Sequence, residues 1–448
     1  MWYHYIGIGG VGMSALAAIM LSKGHKVTGS DIKESKEVKQ LRELGAKVYI
    51  GHKGENIQEP DVVVYSSAIK EDNPERVLAR KRGIKELHRS ENLAEILNHN
   101  YGIAIAGSHG KTTTSAMVAY ILSKLQKDPT ALIGGYVPQF RGNYLVGEND
   151  LVVAEADESD GSFLNYKPMI GSVSSVEADH LENYGFNLDK LYEAYSQFVN
   201  NIQSLALICA DDKKTASLKD FARGKVLTYG ISDGDLQAYD IKEGLSTKFR
   251  VRFKKEDLGE FEISLPGKHN VANTLVAIGI ALELGLDLDE VKVALKDFVG
   301  TGRRFETRFE KNGLLVIDDY AHHPTEIKAT LAAARNRYPD KELWLAFQPH
   351  RYSRTKIFWQ EFIESLKKAD KIVILGIYAP PPEEPIEGIS GNNLALELQK
   401  LGKTTYYLET LDEAAEFLAN NLLANSLLLT MGAGDITKLP DLLQQKLD

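Results

Sequence analysis

The sequence predicts an α/β protein built in three domains, and three observations carry that prediction. Its 448 residues are too many for one ordinary core. Apolar strand-like runs alternate with helical stretches, the pattern of parallel sheets covered by helices. The alternation restarts twice, at Gly102 and at Leu314, and the second restart follows a glycine-arginine stretch, GTGRRFE, that reads as a hinge.

In the first segment WYHYIGIG reads as a strand and VGMSALAAIMLSKGH as a helix. KVTGSD is a second strand ending in Asp31, and KEVKQLRELGA a helix closed by Gly45. KVYIG, DVVVYSSAI and GIKELH continue the strands, and SENLAEILNHN closes the segment near Asn100. The second segment opens with the strand GIAIAG and the helix TTSAMVAYILSKL. LVVAEADE and MIGSVSSVEADH are buried strands with acids at their C-terminal ends, where open α/β sheets gather ligands. After SLALICADD, the runs AYDIKEGLSTKFRVRFKK and GEFEISLPG alternate apolar and polar residues, as antiparallel strands do. HNVANTLVAIGIALELG is a long helix. The third segment predicts the strands LLVIDDYA, ELWLAFQP and KIVILGIY, the helices HPTEIKATLAAARNRY and KIFWQEFIESLKKA, and further strands TTYYLE and SLLLTMGAG. The expected domains are therefore 1–99, 100–302 and 303–448.

Composition narrows the function. Hydrophobic residues make up 43% and charged residues 26%, a globular balance. The net charge of −9 argues against a nucleic-acid groove but leaves local phosphate loops open. The single cysteine, Cys209, permits no internal disulfide and no cysteine-based zinc site. No run of about 18 apolar residues predicts a membrane helix. Met1 leads straight into the first strand, leaving no room for a signal peptide, so the cytoplasm is the expected compartment.

Two glycine loops carry the chemistry. GIGGVG follows the first strand, with Gly7, Gly9 and Gly12 at dinucleotide-fold spacing and Asp31 about twenty residues on, where a ribose-binding acid stands. A bare strand–helix turn is the plain alternative, and the loop does not name its nucleotide. GSHGKTTT, from Gly107 through Ser108, His109, Gly110, Lys111, Thr112 and Thr113, is a phosphate cradle. Backbone amides face the phosphate oxygens, Lys111 supplies charge, and a threonine hydroxyl reaches Mg²⁺. Its spacing departs from the common P-loop, which would place a glycine at Ile105. Glu155, Asp157 and Glu158 in AEADESDGSF and His180 in EADHLENYG suit a divalent cation beside ATP phosphates, or else are surface charges. Glu155, directly after LVVA, would be a costly buried carboxylate without a partner. Arg351 and Arg354 in FQPHRYSRT form a carboxylate or phosphate clamp. DDYAHHPTE adds Asp319, Tyr320, His322 and His323, and GTGRR adds Arg303 and Arg304.

Taken in order, GIGGVGMSALA, GSHGKTTT, EADESDGSF, EADHLENYG, GKHNVANTLVA, GTGRRFE, DDYAHHPTE and FQPHRYSRT resemble the Mur ligase family over essentially the whole chain, with the last two motifs resembling its L-alanine-adding branch. The resemblance implies a Rossmann-like N-terminal domain for a UDP-sugar, a central P-loop-type ATPase domain with a mixed sheet, and a C-terminal Rossmann-like α/β domain that takes the amino acid. It implies ATP-dependent ligation of L-alanine to UDP-N-acetylmuramate through an acyl phosphate, in peptidoglycan precursor synthesis, with ATP and Mg²⁺ as cofactors. It places Gly9, Gly10 and Gly12 on the UDP diphosphate, Ser66 and Ser67 near the same ligand, and Asp31 near the uridine. Lys111 stabilises the transferring phosphoryl, Thr112 and Glu155 hold one Mg²⁺ and His180 a second, and His109 sits near the sugar acid. Asn270 and Asn273 meet the adenine, Arg304 the ATP phosphates and Asp319 the ATP ribose. Tyr320, His322, Arg351 and Arg354 surround L-alanine. The expected assembly is a monomer or homodimer with no nucleic-acid or membrane partner. Three rivals stand beside this reading: a recycling ligase that joins a tripeptide to the same sugar, a nicotinamide-dependent oxidoreductase resting on GIGGVG, and a silent nucleotide-binding regulator.

Overall fold

The computed structural model describes residues 1–448 apart from Asp160, His180, Pro382 and the side chain of Glu182. The first segment runs β1 (Trp2–Ile6), α1 (Val11–Ser22), β2 (Lys26–Asp31), α2 (Lys36–Glu43), β3 (Lys47–Ile50), β4 (Val62–Tyr65), α3 (Pro74–Lys81), β5 (Lys85–His88) and α4 (Arg89–Asn98). Its five strands are all parallel, in the order β3-β2-β1-β4-β5. The chain reverses direction across the sheet between β1 and β4, and a crevice opens at such a switch point, beyond the strands' C-terminal ends. GIGGVG follows β1 and YSSAI ends β4, so the topology alone brings those two motifs to that crevice.

The second segment begins with β6 (Tyr101–Ala106), α5 (Lys111–Lys124), β7 (Thr130–Val137), β8 (Gly142–Leu145), β9 (Leu151–Glu155) and β10 (Ile170–Val173). It continues with α6 (Leu188–Asn201), β11 (Leu205–Cys209), α7 (Lys213–Ala216), β12 (Lys225–Gly230), β13 (Leu236–Lys242), β14 (Thr247–Phe253), β15 (Glu256–Ile263), α8 (Lys268–Glu283) and α9 (Leu288–Asp297). These ten strands form one sheet in the order β15-β14-β13-β12-β11-β10-β6-β9-β7-β8. The run from β12 to β7 is parallel and β7 pairs β8 antiparallel, so the sheet is mixed. Strand β6 lies between β9 and β10, which places the phosphate loop, Glu155 and Ser174 at one edge.

The third segment holds β16 (Glu306–Lys311), β17 (Leu314–Asp319), α10 (Pro324–Arg337), β18 (Glu342–Phe347), α11 (Tyr352–Ile357), α12 (Trp359–Leu366), β19 (Lys371–Leu375), α13 (Gly391–Lys400), β20 (Thr404–Leu408), α14 (Leu411–Asn421), β21 (Ser426–Met431) and α15 (Leu439–Leu447). Its sheet runs β16-β17-β21-β18-β19-β20 and is parallel except for β16 against β17. The single helix expected over KIFWQEFIESLKKA is instead α11 and α12. Phe358 between them leaves helical geometry at φ −104°, ψ 27°, and its ring packs on His323 at 4.6 Å between centroids.

The chain divides into two compact units. One takes in the first two segments, residues 1–239, with 250–261 and 272–298, and the other residues 299–448 with 240–249 and 262–271. The division passes through β13, β14, β15 and the first turn of α8. No helix among the described residues is long and apolar enough to cross a membrane.

Candidate active site

The phosphate loop is shaped by what surrounds it. Gly110 is the N-cap of α5 at φ +83°, a left-handed conformation that favours glycine, and a Cβ there would collide with Asn273 Oδ1. No side chain caps α5 and its first turn carries no acid, so its leading amides suit an anion. The segment after β10 braces the loop from below. Ser108 N donates to Ser175 O (3.0 Å) and Glu177 N to Ser108 Oγ (2.8 Å). His109 N donates to Ser175 Oγ (3.3 Å), and Ser174 Oγ donates to His109 O (2.5 Å).

Lys111 and two carboxylates form the loop's charged heart. Lys111 Nζ donates to Gly107 O at 2.7 Å and to both oxygens of Glu158 at 3.0 and 2.8 Å. Burial works against its charge, but Glu158, Asp157 and Glu155 outweigh burial and hold the ammonium above its ordinary pKa. Glu155, at the end of β9, accepts from Thr112 Oγ1 (3.1 Å) and from Gly134 N (2.5 Å). Burial nonetheless raises its pKa, against the lowering effects of Gly134, Lys111 and Thr112. A part-buried carboxylate with a threonine hydroxyl beside it is a hard-oxygen pair that fits Mg²⁺. His180 lies outside the described residues.

The first glycine loop is built differently. Gly7 N and Ile8 N donate to Ser30 O at 2.8 and 2.9 Å, and Gly9 N donates to Asp31 Oδ2 at 2.8 Å. Those three amides tie the loop to the end of β2, and Asp31 is a brace for the loop. A Cβ on Gly9 would stand 2.9 Å from Asp31 Oδ2 and 3.0 Å from Ser35 Oγ. Gly10 is the N-cap of α1, again with no side-chain cap and no acid in the first turn, so the amides that follow Gly10 are the ones aimed at an anion. Arg89, the first residue of α4, lays its guanidinium over Gly12: a Cβ there would be 3.3 Å from Nη1. Arg89 lies in no sequence motif, so only its placement over Gly12 marks it. Ser67 Oγ pairs with His88 Nε2 at 3.0 Å, and Ser66 O accepts from Ile69 N at 2.9 Å in the turn after β4.

A cavity of about 430 Å³ lies between the start of α1, α2 and the β7–β8 region. It is lined by Val11 and Ser14 of α1 and by Gly134, Arg141, Asn143 and Tyr144 of the β7–β8 region. Gly134 is also the residue whose amide binds Glu155. The cavity thus runs from the residue after Gly10 to the strand whose Gly134 amide meets Glu155.

In the other compact unit Asp319 ends β17 and accepts from Phe305 N and Ala321 N, each at 2.8 Å. Burial raises its pKa to about 6, with Arg304 and those amides pulling the other way. Arg303 is a structural residue: its Nε reaches Asp318 Oδ2 (3.2 Å) and its Nη2 reaches Gly432 O (2.6 Å). Arg304 stacks over Tyr320 at 5.1 Å and approaches Glu326 at 3.6 Å. Tyr320, His322 and His350 form a row of rings, with centroids 5.2 and 6.0 Å apart, and Arg354 Nη1 meets His350 Nδ1 at 3.1 Å. Arg351, at φ +70°, opens α11 and donates its backbone N–H to Tyr378 O (2.9 Å). Tyr320, His322, Arg351 and Arg354 thus share one neighbourhood, which His350 and Tyr378 complete. Asn270 and Asn273 both lie in α8, on either side of the division between units. Asn270 Nδ2 donates to Pro266 O (2.8 Å), and Asn273 sits against Gly110.

Three family models match consecutive stretches: the Mur ligase family catalytic domain at residues 2–101, the Mur ligase middle domain at 105–281, and the Mur ligase glutamate ligase domain at 303–434. The chain belongs to the Mur ligase family. Relatives extend the match along the full length of this Mur ligase. The UDP-N-acetylmuramate–L-alanine ligase of Sulfurihydrogenibium sp. is 43% identical over 447 residues, 99% of this chain and 97% of that one. The crystal structure of the UDP-N-acetylmuramate-alanine ligase of Thermotoga maritima superposes with a TM-score of 0.82 at 33% identity, covering 100% of this chain and 99% of that one. A murein peptide ligase from Psychrobacter arcticus matches at 26% identity with a TM-score of 0.69, covering 100% of this chain and 98% of that one. The three-domain α/β architecture with parallel and mixed sheets is that of the Thermotoga enzyme.

Proposed function

We propose that this Mur ligase joins the amine of L-alanine to the lactyl carboxylate of UDP-N-acetylmuramate, with ATP converted to ADP and phosphate. The observation that carries the reading is the full-length match to ligases of that name, over a chain whose central loop has the charged equipment for phosphoryl transfer. The tripeptide-joining alternative has the weaker likeness of the two, and the oxidoreductase reading leaves Lys111 and Glu155 without a task.

A carboxylate lacks a good leaving group. Attack of the lactyl carboxylate oxygen on the γ-phosphorus of ATP breaks the bond to the bridging oxygen, releases ADP and gives an acyl phosphate. The alanine amine then adds to the acyl carbon, loses a proton, and phosphate departs as the amide forms. Catalysis is largely the neutralisation and alignment of anions. In this proposal the Lys111 ammonium leaves Glu158 for the γ-phosphoryl oxygens. Thr112 and Glu155 would hold Mg²⁺, which when bound would offset the charge of the phosphates. Gly107, Ser108, Gly110 and Thr113 shape the cradle, and His109 faces the sugar acid. Gly9, Gly10, Gly12, Arg89, Ser66 and Ser67 hold the UDP portion, with Asp31 keeping their loop in place. Asn270 and Asn273 take the adenine and Arg304 the ATP phosphates. Each Asp319 oxygen keeps a lone pair beyond its backbone amide, enough to accept from a ribose hydroxyl. Tyr320, His322, Arg351 and Arg354 receive L-alanine, the arginines on its carboxylate. The working domains are 1–99, 100–302 and 303–448, and the compartment is the cytoplasm, where ATP and the UDP-sugar would meet.

A heavy-oxygen label in the lactyl carboxylate tests the acyl phosphate. Turnover should place one labelled oxygen in the released phosphate. Phosphate free of label, with amide formed, would rule the intermediate out.

A further inference from the structure

Glu75, near the start of α3, is a fully buried carboxylate to which the reaction gives no task. Its Oε2 accepts from Ser30 Oγ (2.7 Å) and pairs with His4 Nε2 (3.1 Å). Its Oε1 accepts from Asn56 Nδ2 (2.6 Å) and Lys53 N (3.1 Å). His4 is anchored in turn by Thr28 Oγ1 at 2.8 Å, and His52 Nδ1 meets Ser30 Oγ at 2.9 Å. Burial alone would raise the pKa of Glu75, but the hydrogen bonds from His4, Ser30 and Asn56 more than offset it and the pKa is lowered. A hydrophobic core needs no such group, and leaving any of these polar partners unpaired would be costly.

The network ends on the first glycine loop by two routes. Directly, Glu75 fixes the Ser30 side chain, and the Ser30 carbonyl receives the amides of Gly7 and Ile8. Indirectly, Asn56 Nδ2 also donates to Gly51 O (3.0 Å), while Gly51 N donates to Asp31 O (2.7 Å), and the Asp31 carboxylate receives Gly9 N. One carboxylate thus holds both residues at the end of β2 to which Gly7, Ile8 and Gly9 are tied. Those ties set the direction of the following amides at the start of α1.

We propose that Glu75 is a positioning residue for UDP-sugar binding: through Ser30 and Asn56 it sets the backbone geometry of the Gly7–Gly12 loop. The proposal rests on the reading that this loop binds the UDP diphosphate. The full-length enzyme carrying Glu75→Gln should show a KM for UDP-N-acetylmuramate raised about tenfold, with kcat and the KM values for ATP and L-alanine within about twofold of wild type. Ser30→Ala, which cuts the direct route and keeps the other partners of Glu75, should give the same selective rise with a smaller loss of Tm. The double variant should cost less than the product of the two. A lowered Tm with all three KM values unchanged, or a parallel rise in all three, overturns the proposal, and Ser30→Ala decides alone if Glu75→Gln does not fold. Gly9→Ala separates the two readings. If it raises the same KM while the other variants do not, only the role of Glu75 fails. If it leaves that KM unchanged, the loop assignment fails and takes the role of Glu75 with it.

Discussion

The two glycine loops stand on the same kind of strand–helix turn and are finished in opposite ways. Behind the first, Glu75 has a full set of donors and is held below its ordinary pKa. Behind the second, Glu155 has Thr112 and Gly134 for partners and is pushed above its ordinary pKa by burial. The first carboxylate is a completed part of the scaffold, whereas the second, beside a threonine hydroxyl, has the oxygen chemistry that suits a cation. The cations differ as well. Lys111 is the first residue of α5 and lies inside its loop, while the first loop has no basic residue and borrows Arg89 from α4. A ligand that is only held needs a rigid cradle. A phosphoryl group that changes partners needs charge that can move with it, and the Lys111–Glu158 pair supplies such a charge.

The largest expected effect falls on the second loop. Lys111→Ala should lower kcat for ADP release by about 10³-fold or more, the scale of losing a transition-state charge partner. Retained turnover would erase the contrast between the loops. Next, Glu155→Gln should lower activity by about 10²-fold and remove the rise in Tm that Mg²⁺ gives the wild type, so an unchanged Mg²⁺ response would detach Glu155 from the metal. Outside both loops, Arg354→Ala should raise the KM for L-alanine at least about tenfold more than the KM for ATP, a difference typical of a lost charge-assisted pair. Equal effects would remove Arg354 from the amino-acid site.

The smallest effect is the sharpest comparison, because it has opposite signs at the two loops. A raised folded pKa means that the contribution of Glu155 is fully present below its ordinary value and is lost as pH rises through the folded one. A lowered folded pKa means that the contribution of Glu75 is present above its ordinary value and is lost as pH falls through the folded one. In metal-free protein, Glu155→Gln should therefore reduce the decline in stability as pH rises from the acid side. Glu75→Gln should reduce the loss of stability on acidification. Denaturant melts across that range check both, and slopes of the same sign would mean that the two carboxylates do not differ as described.

Much of this was legible in the sequence. The alternation of strands and helices gave the α/β class, and Lys111, Thr112 and Glu155 were legible because each adjoins a glycine turn or ends an apolar run. What escaped is tertiary. Strand β7 carries the amide that meets Glu155, yet its sequence TALIGGYV, with two central glycines, gives no alternating strand period. Helix α6, amphipathic and buried on one side, falls in a stretch that the motifs on either side overshadow. The bracing residues Ser174 and Ser175 look like ordinary strand-end serines until β10 is seen beside β6. Arg89 and Glu75 belong to no motif, and only the tertiary structure brings Arg89 over Gly12 and Glu75 onto Ser30. Asp31 was legible as important, and its bond to Gly9 shows that it braces the loop.

In the proposed reaction, one chain couples a UDP-sugar on the first loop to ATP on the second through amide formation with L-alanine. ADP release with UDP-N-acetylmuramate present, measured across L-alanine, glycine, L-serine and the tripeptide, tests it most directly. Release should require both sugar and amino acid and should be fastest with L-alanine. Release that favours the tripeptide, or that does not depend on the sugar, would contradict it.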